Sequence, residues 1–285
     1  MSADPPVPDG TDDGTAFRTF EAAGWNDRAP TYDRFIGRLT SRVLDQLLDA
    51  AGVVTGSRML DVATGPGYAS AAAERRGARV VGVDVAPAMV DIARRANPGL
   101  DFRVAEAEAL PFHDESFDAV VSNFLVPHLS DHVRVVAEFC RVLANNGRVA
   151  LTTWDTPDRM RLLGVFVDAF RVAGAEPPGD IPIGPPFYRF ADRGALTMLL
   201  IDGGFTDVNV ETIGFNQHVS SKDELWKGIL SGTVRTRAFI TGQGELMRRK
   251  IRSAFDTAML EFQVAGGFEV PVSVTIGIGR KGVDS

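Results

Sequence analysis

A glycine-rich turn and an acidic residue follow two successive apolar runs in the first third of the chain. Residues 59–62 form a mostly apolar run typical of a short buried strand, and Gly65-Pro66-Gly67 follows it, before an alanine-rich segment that permits a helix. A second apolar run, residues 80–83, ends at Asp84. Glycine at such a turn lets a ligand approach the backbone, and an acid at the tip of the second strand can accept hydrogen bonds from both hydroxyls of a ribose. The Gly-Pro-Gly alone would fit an ordinary turn equally well, but the pair at this spacing predicts a bound adenosine-type ligand.

Strand-like and helix-like segments alternate through the first half of the chain. We predict strands at 59–62, 80–84, 102–104, 117–124 and 148–154, and helices at 69–76, 88–96 and 131–143. This alternation predicts a parallel sheet with helices on both faces. Ligands of such sheets bind at the carboxyl ends of the strands, where Gly65, Asp84, Glu106 and Asn123 fall.

The second half of the chain has a different character. It holds helical patterns at 160–172, 192–201 and most of 222–262, around a stretch rich in Pro and Gly at 174–186. Alternating apolar residues predict a strand within 205–219 and another at 271–279. We expect these two strands to form an antiparallel hairpin that closes the sheet edge, with a helical insertion between them.

The N-terminal segment precedes the first predicted strand. Residues 1–15 are rich in Asp, Pro and Gly, and we interpret them as a disordered leader. We predict a break at Pro30, after which Thr31 caps the next helix, whose apolar spacing extends over 35–51. The residues around Tyr32 would then lie near the strand tips and could close over a ligand.

Composition limits the class of protein. The 285 residues carry 30 Lys and Arg against 37 Asp and Glu, a formal net charge of −7 that argues against nucleic acid as a partner. The single cysteine, Cys140, cannot form an internal disulfide, which fits a reducing cytoplasm. No uninterrupted apolar run reaches the length of a membrane span. The oligomeric state stays open, with a homodimer as one option.

Several motifs resemble those of class I S-adenosylmethionine-dependent methyltransferases. Residues 60–67, Leu-Asp-Val-Ala-Thr-Gly-Pro-Gly, are similar to the first motif of that family, with Ala63 in place of its first glycine. Residues 106–112 resemble its Asp-Ala-Glu-Ala-Leu-Pro-Phe motif, with Glu in place of the commoner Asp, and 117–124 resemble its fourth strand. Tyr32-Asp33 resembles the Tyr-Asp pair of its N-terminal lid. The resemblance is strongest to the group around the ubiquinone/menaquinone C-methyltransferases and small natural-product methyltransferases, and it covers about residues 25–155.

The resemblance implies a fold, a cofactor and a reaction. The fold would be α/β, a Rossmann-like, doubly wound, mostly parallel seven-stranded sheet with a C-terminal antiparallel hairpin and a helical cap. Residues 16–285 would form one domain, with cap segments at 16–45, 157–192 and 220–266. The cofactor would be S-adenosylmethionine, and a methyl group would go to a small, largely apolar acceptor such as a quinone precursor, a polyketide, an isoprenoid or another secondary metabolite. The cofactor-binding residues that it implies are Tyr32, Asp61, Ala63, Gly65, Gly67, Asp84, Val85, Met89, Glu106, Ala107 and Asn123.

Candidates for the acceptor side come from the residues themselves. His128 follows the fourth predicted strand, and we predict that it acts as a general base if the acceptor must lose a proton. The pair His128 and His132 lacks a spaced acid or cysteine, so we predict no metal site. Aromatic residues of the cap would either form an apolar wall of the acceptor site or, as we expect for most of them, the core of the cap itself: Phe187, Tyr188, Phe190, Trp226, Phe239 and Phe255. Trp154 could face the acceptor or only cover the sheet. Arg235 and Arg237 could recognise an acidic group on the acceptor, or they could be solvated or paired with the lid.

Two other classes of protein share part of this pattern. A dinucleotide dehydrogenase also has a glycine turn and a strand-2 acid, but its fingerprint needs a third glycine where this chain has Ser70. A protein of the methyltransferase fold that binds the cofactor but catalyses cyclisation, or only binds a ligand, remains open.

Overall fold

The computed structural model describes residues 14–283. The predicted leader lies outside these residues apart from Gly14 and Thr15, and Thr15 is already helical. The strands are β1 (Arg58–Val62), β2 (Arg79–Asp84), β3 (Asp101–Val104), β4 (Phe117–Ser122), β5 (Leu143–Trp154), β6 (Phe205–Val219), β7 (Gln263–Val264) and β8 (Gly267–Lys281). The helices are α1 (Thr15–Tyr32), α2 (Ile36–Thr40), α3 (Leu44–Ala50), α4 (Tyr68–Arg75), α5 (Pro87–Ala96), α6 (His132–Val142), α7 (Arg161–Ala173), α8 (Arg193–Asp202), α9 (Lys222–Gly232), α10 (Arg235–Thr241) and α11 (Glu245–Ala258).

The strands form one sheet in the order β3-β2-β1-β4-β5-β8-β6, with the two-residue β7 paired to β8. The first five strands of this order are parallel, and β8 runs antiparallel between β5 and β6. This arrangement confirms the predicted doubly wound, mostly parallel sheet with a C-terminal hairpin. From β1 the chain continues outward to β2 and β3, and it then returns to form β4 on the other side of β1. A crevice forms at the carboxyl ends of the strands where the order reverses.

Helices cover both faces of the sheet because the central strands, β1, β4 and the second half of β5, are buried on both sides. On one face α3 and α4 pack over a core that includes Leu47, Met59 and Ala73. On the other face α6 and α8 pack over a core that includes Phe139 and Leu196.

The cap consists of α1, α2, α7, α9, α10 and α11. Its own core surrounds Phe166, Phe255 and Met259, and it continues onto β8 through Val272 and Val274. α1 contacts α5 and α9, so it lies across the strand tips and ties the cap to the sheet. No helix within residues 14–283 has both the length and the apolarity to cross a bilayer.

The predicted break at Pro30 was wrong. α1 continues through Pro30 to Tyr32, and Thr31 is inside it rather than at the start of the next helix. The Thr31 hydroxyl donates to the Ser231 carbonyl at 2.6 Å, and Ala29 is buried against Ala86 and Met89. Tertiary contacts with α9 and α5 therefore hold the last turn helical despite the proline.

The predicted helix over 35–51 is divided. A single 3-10 turn at Ser41–Val43 separates α2 from α3. The Thr40 hydroxyl donates to the Ile36 carbonyl at 3.0 Å, and the Ser41 hydroxyl donates to the Gly37 carbonyl at 2.6 Å. Such side-chain bonds to carbonyls of the preceding turn bend helices, which explains the division.

Candidate active site

A cavity of about 490 Å³ lies at the carboxyl ends of the parallel strands and beneath the cap. Its volume is that of a small-molecule site. Asp61, Gly67, Tyr188 and Trp226 do not line it. Phe190, Phe239 and Phe255, which were expected in the apolar wall, do not line it either. The remaining residues that the sequence suggested for the site do: Tyr32, Ala63, Gly65, Asp84, Val85, Met89, Glu106, Ala107, Asn123, His128, Trp154, Phe187 and Arg235.

The glycines of the β1–α4 loop serve two different purposes. Gly65 has a φ of 53°, and apart from its chain neighbours no atom of residues 14–283 lies within 4 Å of the position that a Cβ would take. The space beside it therefore belongs to the cavity. Gly67 has a φ of 87°, and a Cβ there would lie 2.9 Å from Cζ of Phe102. Gly67 does not line the cavity, and the turn into α4 and the packing against Phe102 both require a glycine there. Ala63 also has a positive φ, 60°, a conformation that costs a non-glycine residue about 1–2 kcal/mol.

Asp84 is held by the backbone at the tip of β2. Its Oδ2 accepts from Gly65 N at 2.8 Å and its Oδ1 accepts from Ala86 N at 2.9 Å. Burial raises the pKa of the Asp84 carboxyl to about 6, and the nearby Asp61 adds to the rise against the lowering effect of the backbone donors. The carboxylate is thus oriented at the cavity edge before any ligand arrives.

Asp61 acts within the loop. Its Oδ2 accepts from the Thr64 hydroxyl at 2.7 Å, the Ser70 hydroxyl at 2.7 Å and Ser70 N at 3.0 Å. Burial raises the pKa of the Asp61 carboxyl, and its Oδ1 is enclosed without a hydrogen-bond partner among residues 14–283. The side chain therefore fixes the loop and the start of α4, and it does not line the cavity.

The two acidic residues after β3, Glu106 and Glu108, have different roles. Glu106 is exposed and lines the cavity with Ala107. Glu108 is buried, pairs with Arg18 of α1 at 2.9 Å and accepts from the Ser130 hydroxyl at 3.3 Å. The Arg18–Glu108 pair, which the sequence did not reveal, fastens α1 over this end of the cavity.

Tyr32 and Asn123 are braced from the cap side. The Tyr32 hydroxyl lies 3.3 Å from Oγ1 of Thr40, and burial raises the pKa of the phenol to about 12. Nδ2 of Asn123 donates to the Thr40 carbonyl at 3.1 Å, and its Oδ1 accepts from the Thr152 hydroxyl at 2.8 Å. Thr40 thus links the residue on the lid to the residue at the tip of β4.

His128 ends a 3-10 turn after β4 and faces the cavity. Its Nδ1 lies 3.0 Å from Oε2 of Glu21, a buried residue of α1. The rings of Trp25 and Phe187 contact it edge-on, with centroids at 4.9 and 5.8 Å. An ionised carboxylate only accepts hydrogen bonds, so Nδ1 is the donor in this pair, and in the neutral imidazole the Nε2 lone pair is left to accept a proton.

Arg235 enters the same part of the cavity from α10. Its Nη1 donates to the carbonyl oxygens of Pro185 at 3.2 Å and Pro127 at 3.4 Å. Its guanidinium carbon lies 5.3 Å from the ring centroid of Phe17 and 5.5 Å from that of Phe187. Burial lowers the pKa of the guanidinium, which nevertheless remains charged.

Most of the aromatic residues predicted to form the wall belong to the cap core. Trp226 packs on Phe166 and Phe255, and Phe239 stacks on Phe170. Tyr188 is packed into the same core, where burial raises its pKa, and Phe190 contacts His132. The sequence left two places open for these aromatics, the acceptor wall and the core of the cap. Phe187 and Trp154 do line the cavity, and Trp154 stacks on Phe124 with centroids 3.9 Å apart.

His132 lies apart from His128. It is buried beside Phe190, and burial lowers its pKa to about 4. Within residues 14–283, no group of three or more His, Cys, Asp or Glu side chains is arranged to hold a metal ion.

Comparison with known proteins gives this fold and site a family. Residues 60–151 match the family model described as a methyltransferase domain. The demethylmenaquinone methyltransferase of Thermus thermophilus is 37% identical over 159 residues, which are 52% of this chain and 70% of that protein. That of Renibacterium salmoninarum is 28% identical over 209 residues, 67% of this chain and 86% of that protein. The solved structure of the YcgJ protein of Bacillus subtilis shares the fold, with a TM-score of 0.52 and 20% identity over 85% of this chain and 99% of that one.

The chain therefore belongs to the class I S-adenosylmethionine-dependent methyltransferases. It is an enzyme that transfers methyl groups, and S-adenosylmethionine is its cofactor.

Proposed function

We propose that S-adenosylmethionine lies across the strand tips with its ribose on Asp84. An ionised carboxylate offers about four acceptor positions, and backbone N–H groups use two of them at Asp84, which leaves two for the ribose hydroxyls. Val85 and Met89 offer an apolar surface for the purine, with Glu106 as acceptor for its amino group. The open space beside Gly65 suits the methionine portion, which Asn123 and Tyr32 would border.

The residues of the chain contribute position and the exclusion of water. When bound, the cofactor supplies a methyl group on a positively charged sulfur. Transfer from a sulfonium removes charge, so a dry cleft does not oppose it, and holding the reactants in line supplies much of the rate. α1 closes the cleft through the ion pair between Arg18 and Glu108 and the hydrogen bond between Glu21 and His128. Because the cap and the sheet are joined in this way, we infer that residues 16–285 work as a single domain.

The acceptor is a small, largely apolar molecule. Trp154, Phe124, Leu163 and Phe187 give its end of the cavity an apolar lining. The relatives that act on demethylmenaquinone support a quinone precursor as one acceptor, and a polyketide, isoprenoid or similar secondary metabolite fits the same lining.

His128 is the general base where the acceptor must lose a proton. Glu21 holds the imidazole with Nε2 unprotonated, and general bases of this kind contribute roughly 10²–10⁴-fold to rate. The observation that carries the whole proposal is that Asp84 and this oriented His128 border one cavity.

Incubation with trideuteromethyl S-adenosylmethionine tests the proposal. The enzyme is incubated separately with a naphthoquinol, a polyketide-type phenol and a prenylated phenol, and the masses of the products are measured by mass spectrometry. We expect one acceptor to gain a deuterated methyl group, with the Asp84→Ala enzyme much slower and the surface variant Asp91→Ala unchanged. A product of unchanged mass would instead support cyclisation, and no product from any apolar acceptor would contradict the assigned acceptor class.

A further inference from the structure

Two arginines line the cavity, and one of them has no carboxylate partner among residues 14–283. Arg18 pairs with Glu108 at 2.9 Å, and Glu21 is bonded to His128 at 3.0 Å. Arg235 takes part in none of the ion pairs within 4.0 Å that residues 14–283 form; its two hydrogen bonds go to the carbonyls of Pro127 and Pro185. A guanidinium in a half-buried, partly apolar site without a carboxylate contact is costly, and a ligand that brought an anionic oxygen would compensate it.

The hydrogen-bond donors of Arg235 indicate where such an oxygen would sit. Nη1 makes both bonds to carbonyl groups, so Nε and Nη2 keep N–H donors that have no acceptor among residues 14–283. None of these nitrogens is among the fully enclosed atoms that lack a partner in the described part of the chain. Because Arg235 lines the cavity, these donors are open to it.

The same end of the cavity holds His128. Arg235 bonds to Pro127, the residue before His128, and the ring of Phe187 contacts both the imidazole and the guanidinium. Glu21 lies close enough to Arg235 to act on its charge as well as bonding to His128. An acceptor seated against Phe187 would therefore meet a base and a fixed cation together.

We propose that Arg235 receives an anionic oxygen of the acceptor, so that the substrate is an apolar ring system carrying an acidic hydroxyl or a carboxylate. This inference rests on the proposed function and defines its acceptor more narrowly. For a hydroxyl, the O–H bond breaks, the proton moves to Nε2 of His128 and the electron pair stays on the oxygen. The free N–H groups of Arg235 then donate to that oxygen, as guanidinium groups do to oxyanions. A carboxylate would arrive already ionised and use the same donors.

Binding of simple probes tests the inference without any methyl transfer. Calorimetry is run with S-adenosylhomocysteine present and with 2-naphthoate, 2-naphthol or the neutral 2-naphthamide as titrant. The enzyme should bind 2-naphthoate or 2-naphthol about tenfold or more tightly than 2-naphthamide, as expected for a charge-assisted bond. Preference for the naphthoate indicates a carboxylate acceptor, and preference for the naphthol indicates a hydroxyl.

Variants then assign that preference to one side chain. Arg235→Met should abolish it, and Arg235→Lys should keep part of it. Arg237→Met is the matched control, because Arg237 is on the same helix, bonds to the Leu230 carbonyl and does not line the cavity. Equal binding of all probes by the unaltered enzyme, or an intact preference in folded Arg235→Met, would overturn the inference. Failure of methyl transfer in the deuterium assay alongside an intact anion preference would count against the proposed function only.

Discussion

Oε2 of Glu21 lies 3.0 Å from Nδ1 of His128, although 107 positions separate the two residues in the chain. Glu21 belongs to the cap and His128 to the loop after β4, so the bond forms only when α1 covers the strand tips. Oε1 of Glu21 is enclosed without a partner among residues 14–283, so His128 is the side chain that holds this carboxylate. The contact joins closure of the site to orientation of the proposed base.

Replacing Glu21 by Gln should disable His128 without removing it. A glutamine amide can donate to Nδ1, which would favour the tautomer with the proton on Nε2. We expect turnover at saturating acceptor to fall by roughly 10²-fold or more, the effect of losing a general base, with cofactor affinity unchanged. His128→Ala should have a similar effect, and His113→Ala, an exposed loop residue, should have none. Steady-state kinetics would contradict the role of the pair if both variants kept full turnover.

Replacing Asp84 by Ala should weaken cofactor binding. The variant loses charge-assisted bonds to the ribose, and we expect a loss of about 1–3 kcal/mol in binding free energy. Titration calorimetry with S-adenosylhomocysteine measures it directly. Asp91→Ala, an exposed position on the following helix, serves as the control and should bind normally. An unaltered affinity in the Asp84 variant would remove this carboxylate from the site.

Cofactor affinity should depend on pH through the same residue. Burial raises the pKa of Asp84 to about 6, so the carboxylate is ionised above that pH and protonated below it. The ionised form accepts hydrogen bonds from hydroxyls more strongly than the protonated form, and affinity for S-adenosylhomocysteine should therefore decrease by up to about tenfold for each pH unit below about 6. Asp84→Asn cannot titrate, and its weaker binding should be nearly independent of pH from 4 to 7. If it followed the same pH curve as the original enzyme, another group would be responsible.

Asp61 should matter for folding more than for direct binding. Asp61→Ala leaves the Thr64 and Ser70 hydroxyls and Ser70 N without their acceptor in a buried loop. We expect the free energy of unfolding to fall by about 2–4 kcal/mol, measured by urea denaturation. Asp49→Ala removes only an exposed ion pair with Arg76 and should change stability by less than about 1 kcal/mol. A normal midpoint for Asp61→Ala would show that the loop does not need its carboxylate.

Local patterns were enough to predict the sheet side of the molecule. Apolar runs and glycine turns are short-range signals, and in a parallel sheet the residue after each strand must lie at one edge. The arrival of Gly65, Asp84, Glu106 and Asn123 at one cavity follows from that rule alone. The same signals could not distinguish Gly67, which serves packing, from Gly65, which borders open space.

The amino-acid sequence by itself therefore determined the order of strands and helices and the set of strand-tip residues, because both depend on neighbours close in the chain. Only the tertiary structure decided the cap side of the site. The pairs Glu21–His128 and Arg18–Glu108 and the approach of Arg235 to Pro127 join residues about 90 or more positions apart. A sequence pattern can show that an aromatic residue is buried but not which surface covers it. The sequence therefore could not show that Phe187 lines the cavity whereas Trp226 packs against the cap core.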